Sequence, residues 1–175
     1  MNFPSVDYIF DENDRVRGKL KDLLANVSDQ ESNRSHDGEK WTVAQIVEHI
    51  AIADEGMSKV CAKLIKSSRD ASLPSPGSVF VSDDFIKRSV DALNVKVEAP
   101  ERVRPTGNAS IAESLARMDA SRTLLNQIRP LFVQFDGNAE KFPHPFFGEM
   151  TAVEWLVMIG SHEARHTRQI EQLLK

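Results

Sequence analysis

Three stretches of this chain carry the same start signal for a helix, and together they constrain its fold more than any other feature. Thr42-Val-Ala-Gln45, Ser110-Ile-Ala-Glu113 and Thr151-Ala-Val-Glu154 each set a hydroxyl residue three positions before Gln or Glu. In that arrangement the hydroxyl accepts from the backbone N–H three residues on, and the longer side chain reaches back to the first residue's own N–H, so two orphan donors are satisfied together. Apolar residues at three- and four-residue spacing follow. Val43, Ile46, Val47, Ile50, Met57, Val60 and Leu64 form one face of a helix that runs from Thr42 to the region of Lys66. Ile111, Leu115, Met118, Leu125 and Ile128 form a second, expected to stop before Pro130, whose ring has no N–H to give. The helix after Thr151 is expected to run to the carboxyl end, with Gly160 as its weak point. A further amphipathic segment from Asp11 to Val27 carries Val16, Leu20, Leu23 and Leu24.

Four such helices predict an all-α four-helix bundle. The polar stretch after Val27 and the loop FDGNAEKFPHPFFGEM are the shorter joins. They are expected to pair helix one with two, and three with four, as antiparallel neighbours. Residues 67–109, rich in Pro, Gly and Ser, form one long crossover between helices two and three. Within it Ser82 is expected to cap a short helix over Asp83 to Leu93, and Val95 to Pro100 reads as extended. A chain of 175 residues with a 41% apolar share buries one substantial core, so residues 1–175 are read as a single domain.

Composition narrows the function. Acidic residues exceed basic ones, 26 to 22, and no Lys/Arg cluster runs beyond a couple of residues, so nucleic acid is not an expected partner. No stretch approaches the ~18 apolar residues of a membrane span. Cys61 is the sole cysteine, which excludes an intramolecular disulfide and a Cys-rich zinc site. The amino-terminal stretch lacks the basic flank and apolar run of an export signal, and the expected setting is the cytoplasm.

His162-Glu163-Ala164-Arg165-His166 spells H-E-x-x-H, a pattern of zinc proteases. Residues four apart on a helix lie about 40° apart around its axis, so both imidazoles project from one face and can share a metal. A protease of that kind usually draws a third ligand from downstream, and only nine residues follow His166. An upstream ligand is needed, and His49 on helix two borders the apolar face beside Ala53 and Gly56. His36 reads as solvated in a polar loop, and His144, between two prolines, as a loop residue able to reach the site. Glu163, Arg165, Arg168 and Glu171 read as a solvated face, with Glu163 a candidate base near the histidines. The plainer alternative is that these rings pack and bond to carbonyls without a metal.

Three motifs taken together are more specific: Trp41-Thr-Val-Ala-Gln-Ile-Val-Glu-His49-Ile; His144-Pro-Phe-Phe-Gly148 leading into Thr151-Ala-Val-Glu-Trp155-Leu; and His162-Glu-Ala-Arg-His166-Thr-Arg-Gln169-Ile. With them, nearly the whole chain resembles the DinB/YfiT-like superfamily of metal-dependent enzymes. The resemblance implies a bundle of up-down-down-up order and a divalent metal, usually zinc or nickel, held by His49, His162 and His166. It also implies homodimers in many members, and characterised relatives include transferases and an isomerase that use low-molecular-weight thiols. Three neutral imidazoles leave a divalent ion open positions, as in catalytic rather than closed structural sites. The leading expectation is therefore a metal-dependent transferase that joins a low-molecular-weight thiol to an electrophilic small-molecule substrate. The alternatives are a metal-dependent hydrolase of a small amide or ester, with Glu163 or His144 as catalytic candidates, and a bundle that binds metal or ligand without catalysis.

Overall fold

Each of the three hydroxyl caps closes as its sequence dictates. In the computed structural model, which describes residues 3–93 and 98–175, the hydroxyls of Thr42, Ser110 and Thr151 accept the N–H of Gln45, Glu113 and Glu154 at 3.3, 3.2 and 3.2 Å. The reciprocal side-chain bonds are also made, which starts helices α3 (Val43–Asp70), α5 (Ile111–Gln134) and α6 (Ala152–Leu173). Helix α1 (Val6–Leu24) starts earlier than the apolar spacing predicts, because Ser5 accepts from the Tyr8 N–H. Between them lie a short α2 (Asp29–Ser32), closed by a further capping box of Ser28 and Glu31, and α4 (Asp83–Leu93). The Ser82 hydroxyl accepts the Phe85 N–H at 3.2 Å, as expected for the start of α4. The extended piece expected at Val95 to Pro100 lies for the most part outside the described residues.

Two local expectations, the end of α5 and the loop before α6, fail. Helix α5 does not stop before Pro130 but continues to Gln134. A proline inside a helix costs about 3 kcal/mol or more, and the turn beyond it is held because Phe132 is buried in the core and the Phe135 N–H returns to the Leu131 carbonyl at 2.7 Å. The loop before α6 contains an antiparallel hairpin, β1 (Lys141–His144) and β2 (Gly148–Thr151), in which Phe142 faces Met150 and His144 faces Gly148. Gly148 takes a φ of 65°, which the turn requires and few other residues adopt.

Cross-helix bonds give the helix directions. Asn13 bonds to Leu156 and Arg17 to Glu163, so α1 and α6 rise together. Asp7 and Asp11 meet Arg129 while Lys21 meets Asp119, so α5 descends beside α1. Cys61 bonds to the Ala152 carbonyl and His49 meets His162, so α3 and α6 are antiparallel, and α3 and α5 run the same way through Glu55 with Arg117. The order is up-down-down-up. The closest packing joins α3 with α5, α3 with α6 and α1 with α6. The helices linked by the shorter joins therefore lie across the diagonals of the bundle rather than side by side, contrary to the expected pairing.

The core falls into two apolar blocks. One holds Phe10, Met57, Cys61, Leu125, Phe132 and Leu156; the other holds Leu20, Ile46, Ile50, Met118 and Ile170. Between them, Arg17, Asp54 and Glu163 make a buried polar layer, and His162 and His166 lie at the same level of α6 as Glu163. No helix among the described residues is long and apolar enough to cross a membrane.

Candidate metal centre

Helix periodicity puts His162 and His166 on one face of α6, and the antiparallel α3 presents His49 to them. One ring nitrogen from each of the three lies within 4.8 Å of the others. His49 Nε2 stands 3.2 Å from His162 Nε2, and the ring centroids are 4.6 to 5.1 Å apart. Trp41 packs on His49 from the other side at 4.9 Å.

Hydrogen bonds decide which nitrogens are available. His49 Nδ1 donates to the Val103 carbonyl at 2.7 Å, so its Nε2 carries the lone pair. His166 Nδ1 donates to the Gln169 amide oxygen at 2.9 Å, and Glu39 in turn accepts from the Gln169 amide nitrogen at 3.2 Å. The His166 nitrogen left free is again Nε2. Partners of this kind are what orient imidazoles that ligate a metal. His162 Nδ1 is buried with no hydrogen-bond partner among the described residues.

Electrostatics keep the three rings neutral. Burial holds His49 below the ordinary histidine range, against the opposing pull of the Val103 carbonyl. His166 is pushed down to about 4, first by burial and then by His49, and His162 well below its usual value by burial, His166 and His49. Neutral imidazoles with facing lone pairs fit a divalent ion. At a metal–nitrogen distance of about 2.0–2.1 Å, tetrahedral ligands sit roughly 3.4 Å apart, close to the His49–His162 separation. Without an ion, two lone pairs would meet unless His162 placed its proton on Nε2.

Glu163 is not on a solvated face. It is fully buried and points to α1, where Arg17 donates to its carboxylate at 2.7 and 3.1 Å. Arg17 also donates to Asp54 at 2.7 Å. Burial raises the Asp54 carboxyl, and the nearby Glu163 charge adds to this. Arg17 and Asp54 escape a reading for chemistry, although a signal exists: each is a charge set in an otherwise apolar stripe, Phe10, Arg17 and Leu24 on α1, and Ile50, Asp54 and Met57 on α3. His144 lies outside the triad, on the hairpin. Its ring packs on Trp155 and Phe147 at 5.2 and 5.1 Å, and burial with Arg102 lowers it to about 4. His36 is half-buried rather than fully solvated and does not join the cluster. Burial pushes the Cys61 thiol up, away from the reactive thiolate.

The DinB superfamily model matches residues 12–170. The chain belongs to the DinB superfamily. Its similarity to the "uncharacterized protein YuaE" of Bacillus subtilis (strain 168) is 24% identity over 151 residues, covering 86% of this chain and 87% of that one. Among solved structures it is similar to TT2238, described as a four-helix bundle protein, with a TM-score of 0.64 at 21% identity, covering 96% of this chain and 99% of the other. That likeness concerns the fold. Members of the superfamily are generally metal-dependent, and the histidine cluster is compatible with that property.

Proposed function

We propose that this DinB member is a metal-dependent enzyme whose divalent ion is held by Nε2 of His49, His162 and His166, and that it transfers a low-molecular-weight thiol to an electrophilic small molecule. The observation that carries the reading is the convergence of three neutral imidazoles whose two outer nitrogens, on His49 and His166, are already committed to oxygen acceptors. Zinc or nickel suits three nitrogen donors with no thiolate from the chain. Bound there, such an ion supplies Lewis acidity and lowers the pKa of a thiol or water that it binds.

The chain's own residues contribute orientation and exclusion of water. Val103 and Gln169 fix two of the rings, and Trp41 covers His49. In the transfer the thiol sulfur forms a bond to the electrophilic carbon, the leaving group departs with its bonding pair, and the thiol proton passes to solvent. Hydrolysis of an amide or ester is less well supported, since the carboxylate nearest in sequence, Glu163, is bonded to Arg17 instead of facing the histidines.

Metal-loaded protein incubated with a panel of small thiols and a reactive halonitroarene tests the reading. The expected outcome is thioether formation that requires the metal and one class of thiol. Release of acid from ester or amide substrates under the same conditions, without thioether from any thiol, would replace the transferase reading with the hydrolytic one.

A further inference from the structure

Glu48 immediately precedes His49 on α3, and successive residues of a helix point about 100° apart, so the two side chains leave the helix in different directions. They meet the same segment of the crossover nonetheless. His49 Nδ1 donates to the Val103 carbonyl at 2.7 Å. One oxygen of the Glu48 carboxylate accepts from the Thr106 N–H and hydroxyl at 3.0 and 2.6 Å, and the other accepts from the Gly107 N–H at 2.8 Å. Glu48 is only 5% exposed while Thr106 and Gly107 lie on the surface, so a buried carboxylate reaches outward to hold a loop. Hydrogen bonds to an ionised group are roughly twice as strong as neutral ones.

The piece of chain between these two contacts is stiff. The 3-10 turn Glu101–Val103 is closed by the Val103 N–H on the Pro100 carbonyl at 3.0 Å and by the Arg104 N–H on the Glu101 carbonyl at 3.1 Å. The Arg104 side chain adds a bond to the Ala99 carbonyl at 3.1 Å. Arg104 itself is extended, with φ −68° and ψ 139°, the conformation that a following proline favours, and the ring of Pro105 locks the next φ. Gly107 then takes a φ of 77°, and a Cβ added there would lie 3.1 Å from the Gln45 amide nitrogen, so the segment rests directly on the first turn of α3. Fixing Thr106 and Gly107 therefore fixes the Val103 carbonyl.

We propose that Glu48 is the positioning residue of His49: by clamping Thr106 and Gly107 it holds the Val103 carbonyl on Nδ1, which keeps the Nε2 lone pair aimed at His162 and His166. Without that carbonyl the imidazole is free to move its proton to Nε2 and to turn about its Cβ–Cγ bond, and either change takes the lone pair away from the other two rings. Trp41 packs on the far side of the ring at 4.9 Å, but its indole offers no acceptor for the Nδ1 proton. Partners that orient ligating histidines typically set metal affinity by about 10–100-fold. The consequence for metal rests on the function proposed above; the hold on the ring does not.

Glu48→Gln keeps the shape of the side chain but sets an amide nitrogen where one carboxylate oxygen accepts, so one arm of the clamp opens. Full-length protein is stripped with a chelator, freed of it, and titrated with zinc against a chromogenic competitor. Nitrogen-15 correlation spectra of the histidine side chains are recorded on the zinc-free samples. Wild type is expected to carry the His49 proton on Nδ1, protected from exchange with water. In Glu48→Gln that protection should fall, and the zinc dissociation constant should rise by about tenfold. Thr106→Val, a surface substitution that leaves α3 intact, should move both readouts in the same direction by less, and Thr106→Ser should restore them; this pair carries the test if Glu48→Gln does not fold. Leu125→Ala, in the apolar block away from the crossover, separates positioning from stability: it should lower the urea midpoint of unfolding and leave both readouts as in wild type. An unchanged Nδ1 proton in folded Glu48→Gln and Thr106→Val would overturn the proposal, and so would equal changes in Leu125→Ala. Wild-type protein that takes up no zinc, yet loses the protected proton in Glu48→Gln, would leave the positioning role standing and remove the proposed function. Zinc bound tightly and equally by wild type and Glu48→Gln would keep the proposed function and overturn the role of Glu48 in it.

Discussion

At the scale of single residues, Glu163 matters most because it lies between the two candidate ligands of α6, directly after His162 and three residues before His166. Spacing alone places it about 60° from His166 around the helix, and its charge suggests solvent. The fold instead turns it toward α1, because Arg17 and Asp54 lie on the same level of the bundle and would otherwise bury unpaired charges. Removing one partner of a buried pair typically costs about 3–5 kcal/mol. Glu163→Ala is therefore expected to lower the unfolding free energy in urea by that amount, whereas Glu171→Ala, on the exposed side of the same helix, should stay within about 0.5 kcal/mol of wild type. Equal effects for the two would return Glu163 to the surface. His162 and His166 were legible from their four-residue spacing. The burial of Glu163 was not, since it depends on a long-range partner that no local pattern in α6 names.

At the scale of elements, local chemistry decided where helices begin and tertiary packing decided where they end. Capping boxes act within four residues, so Thr42, Ser110 and Thr151 could be read directly. Pro130 misleads because a local penalty is outweighed by Phe132 in the core, and the hairpin escapes notice because four-residue strands with a proline carry almost no periodic signal. Gly160 is a related case. It appears as a weak point in α6, yet an added Cβ there would lie 2.0 Å from Asn13 Oδ1, so the missing side chain is what lets α1 approach and lets Asn13 bond to the Leu156 carbonyl at 2.9 Å. Helix propensity would make Gly160→Ala stabilising by about 1 kcal/mol. The close approach reverses the sign, and a loss of roughly 1–3 kcal/mol in chemical denaturation is expected. In an Asn13→Ala background the same substitution should cost much less. A stabilising Gly160→Ala in the otherwise unchanged protein would mean that α1 and α6 are farther apart than described.

At the scale of the whole molecule, the up-down-down-up order makes the site. It sets α3 antiparallel to α6, which brings a histidine from the first third of the chain against two from the middle turns of the final helix. The amphipathic pattern made four helices legible, but not that the shorter joins span the diagonals, because pattern records which face is buried and not against which neighbour. For the same reason His49 was identifiable from its place beside an apolar face and from the family resemblance, while Val103, whose carbonyl fixes the ring, was not. The crossover that carries Val103 is fastened beside the site by Glu48, which accepts from the Thr106 and Gly107 N–H groups at 3.0 and 2.8 Å.

The central claim is that these three histidines act together on one divalent ion, and metal content of folded single variants tests it most directly. Elemental analysis of protein purified without chelator should find about one zinc or nickel ion per chain, as a three-imidazole site predicts. His49→Ala should lose the ion as severely as His162→Ala or His166→Ala, with folding retained by circular dichroism, and His36→Ala should keep it. A full complement of metal in folded His49→Ala would contradict the account, because it would take away the residue that joins α3 to α6 at the proposed centre.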